Sequence, residues 1–469
     1  MTPEEILARH ARALDRRRAH DALWQDCYDH VLPPATGGRV AIYDATAADA
    51  AEQLAASLLA ELTPPWSRWF GLAPARAAEA DTAAAAAMED AAETLQGHFD
   101  RSNFALEMHQ GFLDLVVAGT GLLLVEEAPV GEPAALRFTA VPLREAVLEE
   151  GPSGRLDTVF RAARLSEAVL RERYPAAPPP PAADDDGEAP RHRVVEAVWS
   201  DRAGYRFMAL LATEHGPVVL AEGRFAESPF IAFRWLKAPG EAYGRGPVAK
   251  ALPDIRTANK VVELVLKNAS IAATGIWQAD DDGVLNPATV RLEPGAIIPK
   301  APGSSGLTPL QAPGNFDVSQ LVLTDLRARI RGALLADRLG PERRDNMTAT
   351  EVLERSAQTA RLLGATYGRL QAELLTPLVA RCLAILRRRG EIPSLLRDGR
   401  EALLRYRSPL AQVQGRADAA NTLLFLQAVR AMGPEALAQV DLPAAARWLG
   451  RTLSAPAEVL NPPANPEKE

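Results

Sequence analysis

Cysteine is nearly absent. Two residues, Cys27 and Cys382, stand far apart in a chain of 469, which excludes a disulfide framework and a cysteine zinc site. Both read as small buried hydrophobes. Long apolar runs are also missing. The longest, Leu115 to Val125, is far short of the roughly 20 residues that span a bilayer, so no membrane contact is expected. The first eighteen residues are charged throughout and carry no apolar core, so no secretory signal is expected. Positive charge is not in excess: 52 basic against 60 acidic residues leave a net charge of −8. A basic nucleic-acid coat is excluded, and any contact with DNA must be local or non-adhesive.

Catalytic signatures are missing too. There is no phosphate-binding P-loop, no H-E-x-x-H, no G-x-S-x-G and no paired C-x-x-C. Gly244-Arg245-Gly246 lacks the third glycine of a dinucleotide fingerprint. The seven histidines never cluster at a ligand spacing. Asp280, Asp281 and Asp282 precede Gly283 without the distant bidentate carboxylate of a calcium loop; an Asp-Gly hairpin turn explains them. No cofactor or metal is expected. The balance favours a structural or interaction protein over an enzyme.

What is present is an ordinary globular composition, 47% apolar and 24% charged, on a chain long enough for about three domains. The pattern predicts an α+β, mainly helical fold. A first helix starts at Thr2-Pro3 with proline at its first position and stops at Pro33-Pro34. A second spans about 48–62, capped by Asp44 or Thr46. A third follows the alanine tract past Leu95 and Phe99. A fourth covers about 103–125, ending at Gly119 and Gly121. Short β-branched segments then predict an antiparallel sheet, interrupted by a Pro-rich acidic insert at 175–190, whose Asp184 to Asp186 read as solvated loop charge. Helical texture returns in two rods, 254–273 and 317–339, flanking a small strand-and-turn module. Leu323, Leu326, Ile330 and Leu334 form one stripe of the second rod. A charged turn at Arg343 and Arg344 leads to a long helix opening at Thr348 and Glu351, spaced as a capping box. Gly364 and Pro377 are its kink points, and Gly390 is a natural C-terminal stop. The chain from Arg405 on is expected to be helical, with a disordered tail.

Four segments stand apart. They are Tyr43-Asp44-Ala45-Thr46 with Leu62-Thr63-Pro64-Pro65 and Trp69-Phe70; Arg234-Trp235 with Gly240-Glu241 and Tyr243-Gly244-Arg245-Gly246-Pro247; the charged turn; and the mixed charge on the rods. Each has an ordinary explanation: a hydrophobic cluster, a strand-to-helix loop, a solvated corner and a wet helix face. In this order, and with Met347-Thr348-Ala349-Thr350-Glu351, they resemble the portal proteins of short-tailed bacteriophages, the head-to-tail connector family, over roughly residues 10–430.

That resemblance implies a wing at 1–253, a first stem helix at 254–273, a clip at 274–316 and a second stem helix at 317–339. A tunnel loop at 340–347, a long kinked wing helix at 348–404, a helical crown at 405–454 and a tail at 455–469 would follow. It implies a homo-oligomeric ring, usually of twelve subunits, at one capsid vertex. Double-stranded DNA would pass through it without sequence specificity during packaging and ejection. Partners would be the large terminase, the major capsid protein, a scaffold protein and a tail adaptor. The protein would reside in the virion, and in host cytoplasm during assembly. Channel cations would be Arg343, Arg344, Lys260, Lys267, Arg327 and Arg331. Neighbouring subunits would cover the rods' apolar stripes. A motif-poor cytosolic enzyme, or another capsid or tail structural protein, remains the alternative.

Overall fold

The computed structural model describes residues 1–34, 38–65, 68–73, 82–175, 191–274, 277–278, 308–309, 316–336, 364, 366–393, 403–406 and 409–452. The first helix, α1 (Pro3–Val31), starts where expected, at Thr2-Pro3, and opens with a reciprocal cap. The Glu5 amide donates to Thr2 Oγ1 at 3.2 Å, and the Thr2 amide donates to the Glu5 carboxylate at 2.8 Å. This satisfies two backbone donors that the first turn leaves orphaned. Then come α2 (Thr46–Leu62), β1 (Phe70–Ala73), α3 (Thr82–Arg101) and α4 (Phe104–Ala118).

α4 stops at Gly119, one of the two glycines expected to end it, and does not extend to residue 125. Gly119 takes a left-handed conformation, φ +82°, and ends the helix; the apolar run beyond it is a strand, β2 (Thr120–Glu127). A continuous apolar run has no period with which to tell a buried strand from a buried helix. β2 is the centre of a three-stranded antiparallel sheet, between β3 (Leu136–Ala140) and β9 (Phe230–Arg234). The other strands form a five-stranded antiparallel meander: β4 (Ala146–Glu150), β5 (Leu156–Ser166), β6 (Arg191–Asp201), β7 (Gly204–Thr213) and β8 (Gly216–Phe225). The expected single sheet is thus two. A short helix, α5 (Glu167–Arg173), follows β5.

α6 (Pro247–Thr274) and α7 (Phe316–Ala333) form an antiparallel hairpin. Asp254 near the start of α6 meets Arg329 near the end of α7 at 2.9 Å. At the other end, two-residue strands β10 (Trp277–Gln278) and β11 (Thr308–Pro309) pair. α6 starts seven residues before the expected rod and includes Pro253 in its second turn. At about 1.5 Å per residue it is about 42 Å long.

After the hairpin, residues 366–370 are helical and run into a π-helical turn, Gln371–Leu375, then α8 (Thr376–Arg388). The expected kink at Pro377 thus falls just after the π turn. α8 ends as predicted at Gly390, φ +75°: the Gly390 amide donates to Arg387 O at 3.1 Å and Glu391 to Leu386 O at 3.0 Å, the paired bonds of a Schellman cap. The helix therefore does not reach residue 404. Leu403–Tyr406 is instead a strand, β12, antiparallel to β1. α9 (Pro409–Met432), α10 (Pro434–Leu437) and α11 (Leu442–Thr452) complete the described chain. The remaining clip residues, the charged turn with Arg343 and Arg344, the capping box of Thr348 and Glu351, the acidic insert and the tail lie outside the described residues.

One large core joins α1–α4, α6–α8 and the three-stranded sheet, while β4–β8 pack in smaller clusters. Leu54, Leu58 and Leu62 of α2 pack with Phe112 of α4, Phe233 of β9, Ile255 of α6 and Leu378 of α8. Trp69 and Phe70 are buried there with Phe99, Phe104 and Phe138, ring centroids 4.5–6.4 Å apart. Trp69-Phe70 thus belongs to a packed hydrophobic cluster. Leu326 and Ile330 of α7, and Leu334 just past its end, enter the same core. This corrects the expectation that neighbouring subunits cover that stripe: within one chain, α2 and its surroundings already do. The hairpin's exposed apolar residues lie nearer its tip, at Leu264, Leu266, Leu321 and Val322.

Candidate functional site

The hairpin is rooted in the body by three polar side chains. Asp44 is buried just ahead of α2, and its carboxylate accepts from the Thr46 amide at 3.0 Å, covering an orphaned donor at the helix start. Its other oxygen accepts from Arg327 of α7, with Nε and Nη2 both at 2.8 Å. Asn259 of α6 completes the joint. Its Oδ1 accepts from the amides of Tyr43, 2.6 Å, and Asp44, 3.1 Å, and its Nδ2 donates to Ala41 O at 2.9 Å. The extended segment before α2 is thereby held by both helices of the hairpin. Burial acts to raise the Asp44 pKa, but the bonds from Thr46 and Arg327 prevail and hold it low. Arg256 of α6 adds an ion pair to Asp26 of α1.

A second cluster forms where β9 leads into α6. Gly119, Gly244 and Gly246 bring two backbones into contact. A Cβ on Gly119 would lie 2.2 Å from the Gly246 nitrogen, and one on Gly244 would lie 2.1 Å from Gly119 O. No side chain fits, which is the close-approach role of glycine. The Gly244 amide donates to Thr120 Oγ1 at 2.8 Å. Tyr243 is buried against Trp24, ring centroids 5.0 Å apart, and its hydroxyl accepts from the Leu148 amide at 3.0 Å; burial pushes its pKa up to about 12. Arg245 stays on the surface with Glu241.

Arg234, wholly buried, ties this corner to the π turn. Its guanidinium donates to Glu373 at 2.6 Å, to Ala242 O at 3.0 Å and to Gly154 O at 3.1 Å. The Arg234 amide also donates to Glu373, at 3.0 Å. Glu150 lies 3.6 Å away and pairs with Lys237. A buried arginine needs this many acceptors, because desolvating it unpaired is prohibitive.

The hairpin's charges are mostly engaged. Lys260 and Lys267 both donate to Glu263, at 2.9 and 2.6 Å, which lowers the Glu263 pKa to about 2 and raises that of Lys267. The three side chains leave one net positive charge on the α6 surface. Arg331 is exposed on α7. The structure thus brings Asp44 and Arg327 together, and Lys260 with Lys267. It keeps Tyr243, Gly244 and Gly246 in a separate corner, and Thr63 and Trp69 in or beside the core. Sequence reasoning passed over Asn259, Glu263 and Glu373. A polar residue on the apolar side of α6, between Ile255 and Val262, was the available sign for Asn259.

The molecule that emerges is an α+β body with a long helical hairpin rooted in it by charged and polar contacts. A sequence profile described as "Bacteriophage head to tail connecting protein" matches residues 3–460. The chain belongs to that family. Among its relatives, the portal protein of Enterobacteria phage T3 is 21% identical over 313 residues, covering 66% of this chain and 57% of that protein. The probable portal protein of Bordetella phage BPP-1 is 25% identical over 94% of this chain and 85% of that one. The chain thus aligns with a little over half the T3 relative's length and most of the BPP-1 relative's. A solved chain titled "Virion of native gene transfer agent (GTA) particle" aligns with TM-score 0.40 at 11% identity, over 85% of this chain and 88% of that chain.

Proposed function

We propose that the protein is a phage portal, an oligomeric ring at one vertex of the capsid through which double-stranded DNA is packaged and ejected. The family match over residues 3–460 carries this reading. In this scheme α6 and α7 are the stem, residues 274–316 the clip that docks the packaging motor and then the tail, and 340–347 the tunnel loop. The body through β9, with the long helix ending in α8, is the wing, and α9 to α11 the crown. The role is structural, and hydrolysis that drives DNA belongs to a separate motor.

The exposed apolar residues support an assembly. Leu264, Leu266, Leu321 and Val322 on the hairpin, and Leu424, Phe425 and Met432 on α9, are apolar surface that a ring would take out of water. The channel role suits sparse charge. Each phosphate neutralised adds salt-dependent grip, and a conduit must release what it guides. A ring repeats each cation, so the single net charge of Lys260, Lys267 and Glu263 is multiplied by the subunit count. Arg331, Arg343 and Arg344 are proposed as further channel cations. Arg327 is proposed to serve there only through its half-exposed edge, since Asp44 engages its guanidinium.

Electron microscopy of the purified protein tests the assembly: rings with a central hole are expected, and a persistent monomer, a shell or a tube would overturn it. For the loop, Arg343→Ala with Arg344→Ala is expected to leave rings intact and alter packaging or retention of DNA. Full-length packaging with normal retention would remove that role.

A further inference from the structure

The sequence pattern carries the second rod to residue 339 without a break, yet α7 ends at Ala333. Leu334 and Leu335 form a turn, and helical conformation resumes at Ala336. The break falls at Leu335, whose backbone is left-handed, φ +57°. Among the described residues it is the only one other than glycine with positive φ. α4 and α8 also end on a left-handed residue, and there it is a glycine, Gly119 or Gly390. A bulky side chain in this region is a true outlier, because its Cβ crowds the following carbonyl.

Nothing in the local sequence asks for this break. Residues 331–339, Arg-Gly-Ala-Leu-Leu-Ala-Asp-Arg-Leu, contain no proline and are mostly strong helix formers. Gly332 lies within the helix, three residues too early to supply the left-handed position. What holds the break is burial. Ile330 and Leu334 are 0% exposed and Ala336 is 2% exposed, and Leu335 packs against the same core. The turn also keeps its amides bonded: Leu334 donates to Ile330 O at 3.0 Å, and Leu335 to Gly332 O at 3.3 Å. Backbone preference and side-chain burial therefore pull Leu335 in opposite directions. Such a conflict persists only where the surroundings outweigh the strain, and it brings two conformations close in free energy.

We propose that Leu335 is a two-state joint at the end of the hairpin. In the conformation described above, the helix is broken at Leu335, and Leu334 and Ala336 are buried. In the other, Leu335 takes helical dihedrals and α7 runs on through Ala336 as one rod. The change is confined to one residue, yet it re-aims the chain that leaves the hairpin. A contact that draws Leu334 and Ala336 out of the core favours the continuous rod. One that presses α7 onto the body favours the break. The inference does not rest on the portal reading, because it concerns two conformations of the chain itself.

Pulsed dipolar spectroscopy of the full-length protein tests it, with nitroxides on Thr324→Cys and Arg338→Cys and labelled chains diluted among unlabelled ones. Cys27 and Cys382 are both buried, which keeps the label on the introduced pair. An unbroken rod separates the two positions by about 21 Å along its axis, at about 1.5 Å per residue. A turn at Leu335 brings them closer. The chain with Leu335 is expected to give mainly the shorter separation. Leu335→Ala removes the packed side chain and favours helix, so a population near the longer separation is expected. Leu335→Gly relieves the left-handed backbone and weakens the helix, so the shorter separation alone is expected. Each backbone effect is about fivefold, so the ratio of broken to continuous chains should differ more than about tenfold between the two variants. Identical distributions in the two variants, whichever separation they show, would overturn the proposal. So would the longer separation alone in the chain that keeps Leu335.

Discussion

At the residue scale, most polar side chains that organise this molecule were visible as letters but not as partners. Arg234 ends an apolar strand, and a lone charge there signals either a strand end or a buried ion pair. Its partner Glu373 is 139 residues away, and no periodicity links the two. Gly119 and Gly244 were legible as turn glycines; that they face each other across two loops was not. Asp114 was not legible at all. It sits in the middle of α4, 6% exposed, with Tyr28 of α1 donating to it at 2.8 Å. Burial raises its pKa to about 6, against the opposing pull of the Tyr28 hydrogen bond. The sign follows directly. Between its ordinary value near 4 and its folded value near 6, the folded state holds a proton that the unfolded state has lost, so stability falls as pH rises through this window. Asp114→Asn retains an acceptor for Tyr28 and removes the titration. Thermal unfolding at fixed protein concentration, from pH 4 to pH 7, should show the unaltered chain losing on the order of 2–3 kcal/mol relative to the variant. Parallel curves would exclude Asp114 as a buried titrating group.

At the element scale, helix starts and stops were the legible part. The start at Thr2-Pro3, the stop at Pro33-Pro34 and the Gly390 stop are local signals, complete within a few residues. Strands defined by long-range pairing were not legible. β2 reads as a continuation of α4 because its residues are uniformly apolar, and β12 exists only because β1, more than 300 residues earlier, pairs with it. The hairpin was recognised as two rods, but the root of the first was misplaced, since Pro253 reads as a boundary rather than as part of the helix. Beside the core packing of α6 and α7, the Asp44–Arg327–Asn259 joint helps fix the hairpin to the body. Arg327 is half exposed, so its pair with Asp44 should be worth about 1 kcal/mol, less than a fully buried one. A double-mutant cycle of Asp44→Asn and Arg327→Met, read by chemical denaturation, should give a coupling of that size. Additive effects of the two substitutions would mean that the pair does not help hold the hairpin.

At the scale of the whole molecule, the decisive quantity is how much positive charge the proposed channel presents. The chain is net acidic, and along α6 two lysines are partly cancelled by one shared glutamate. This restraint has a mechanical meaning if the α6 face lines a passage. A stronger ring of cations would hold the duplex and oppose its movement, and a negative ring would repel it at the entrance. Glu263→Gln isolates the effect, because it adds one net positive charge per subunit beside two exposed lysines. The ion pairs it weakens are with the exposed Lys260 and Lys267, and Gln keeps the size of Glu, so the fold and ring should persist. Duplex DNA is then expected to bind the variant ring more tightly than the unaltered ring, and to lose affinity more steeply between 50 and 200 mM salt, by about 0.9 in the log–log slope for each added phosphate contact. Binding titrations at several salt concentrations measure both quantities. If affinity and slope match those of the unaltered ring, the Lys260–Glu263–Lys267 face does not meet DNA, and the passage must be lined by a different side of the hairpin.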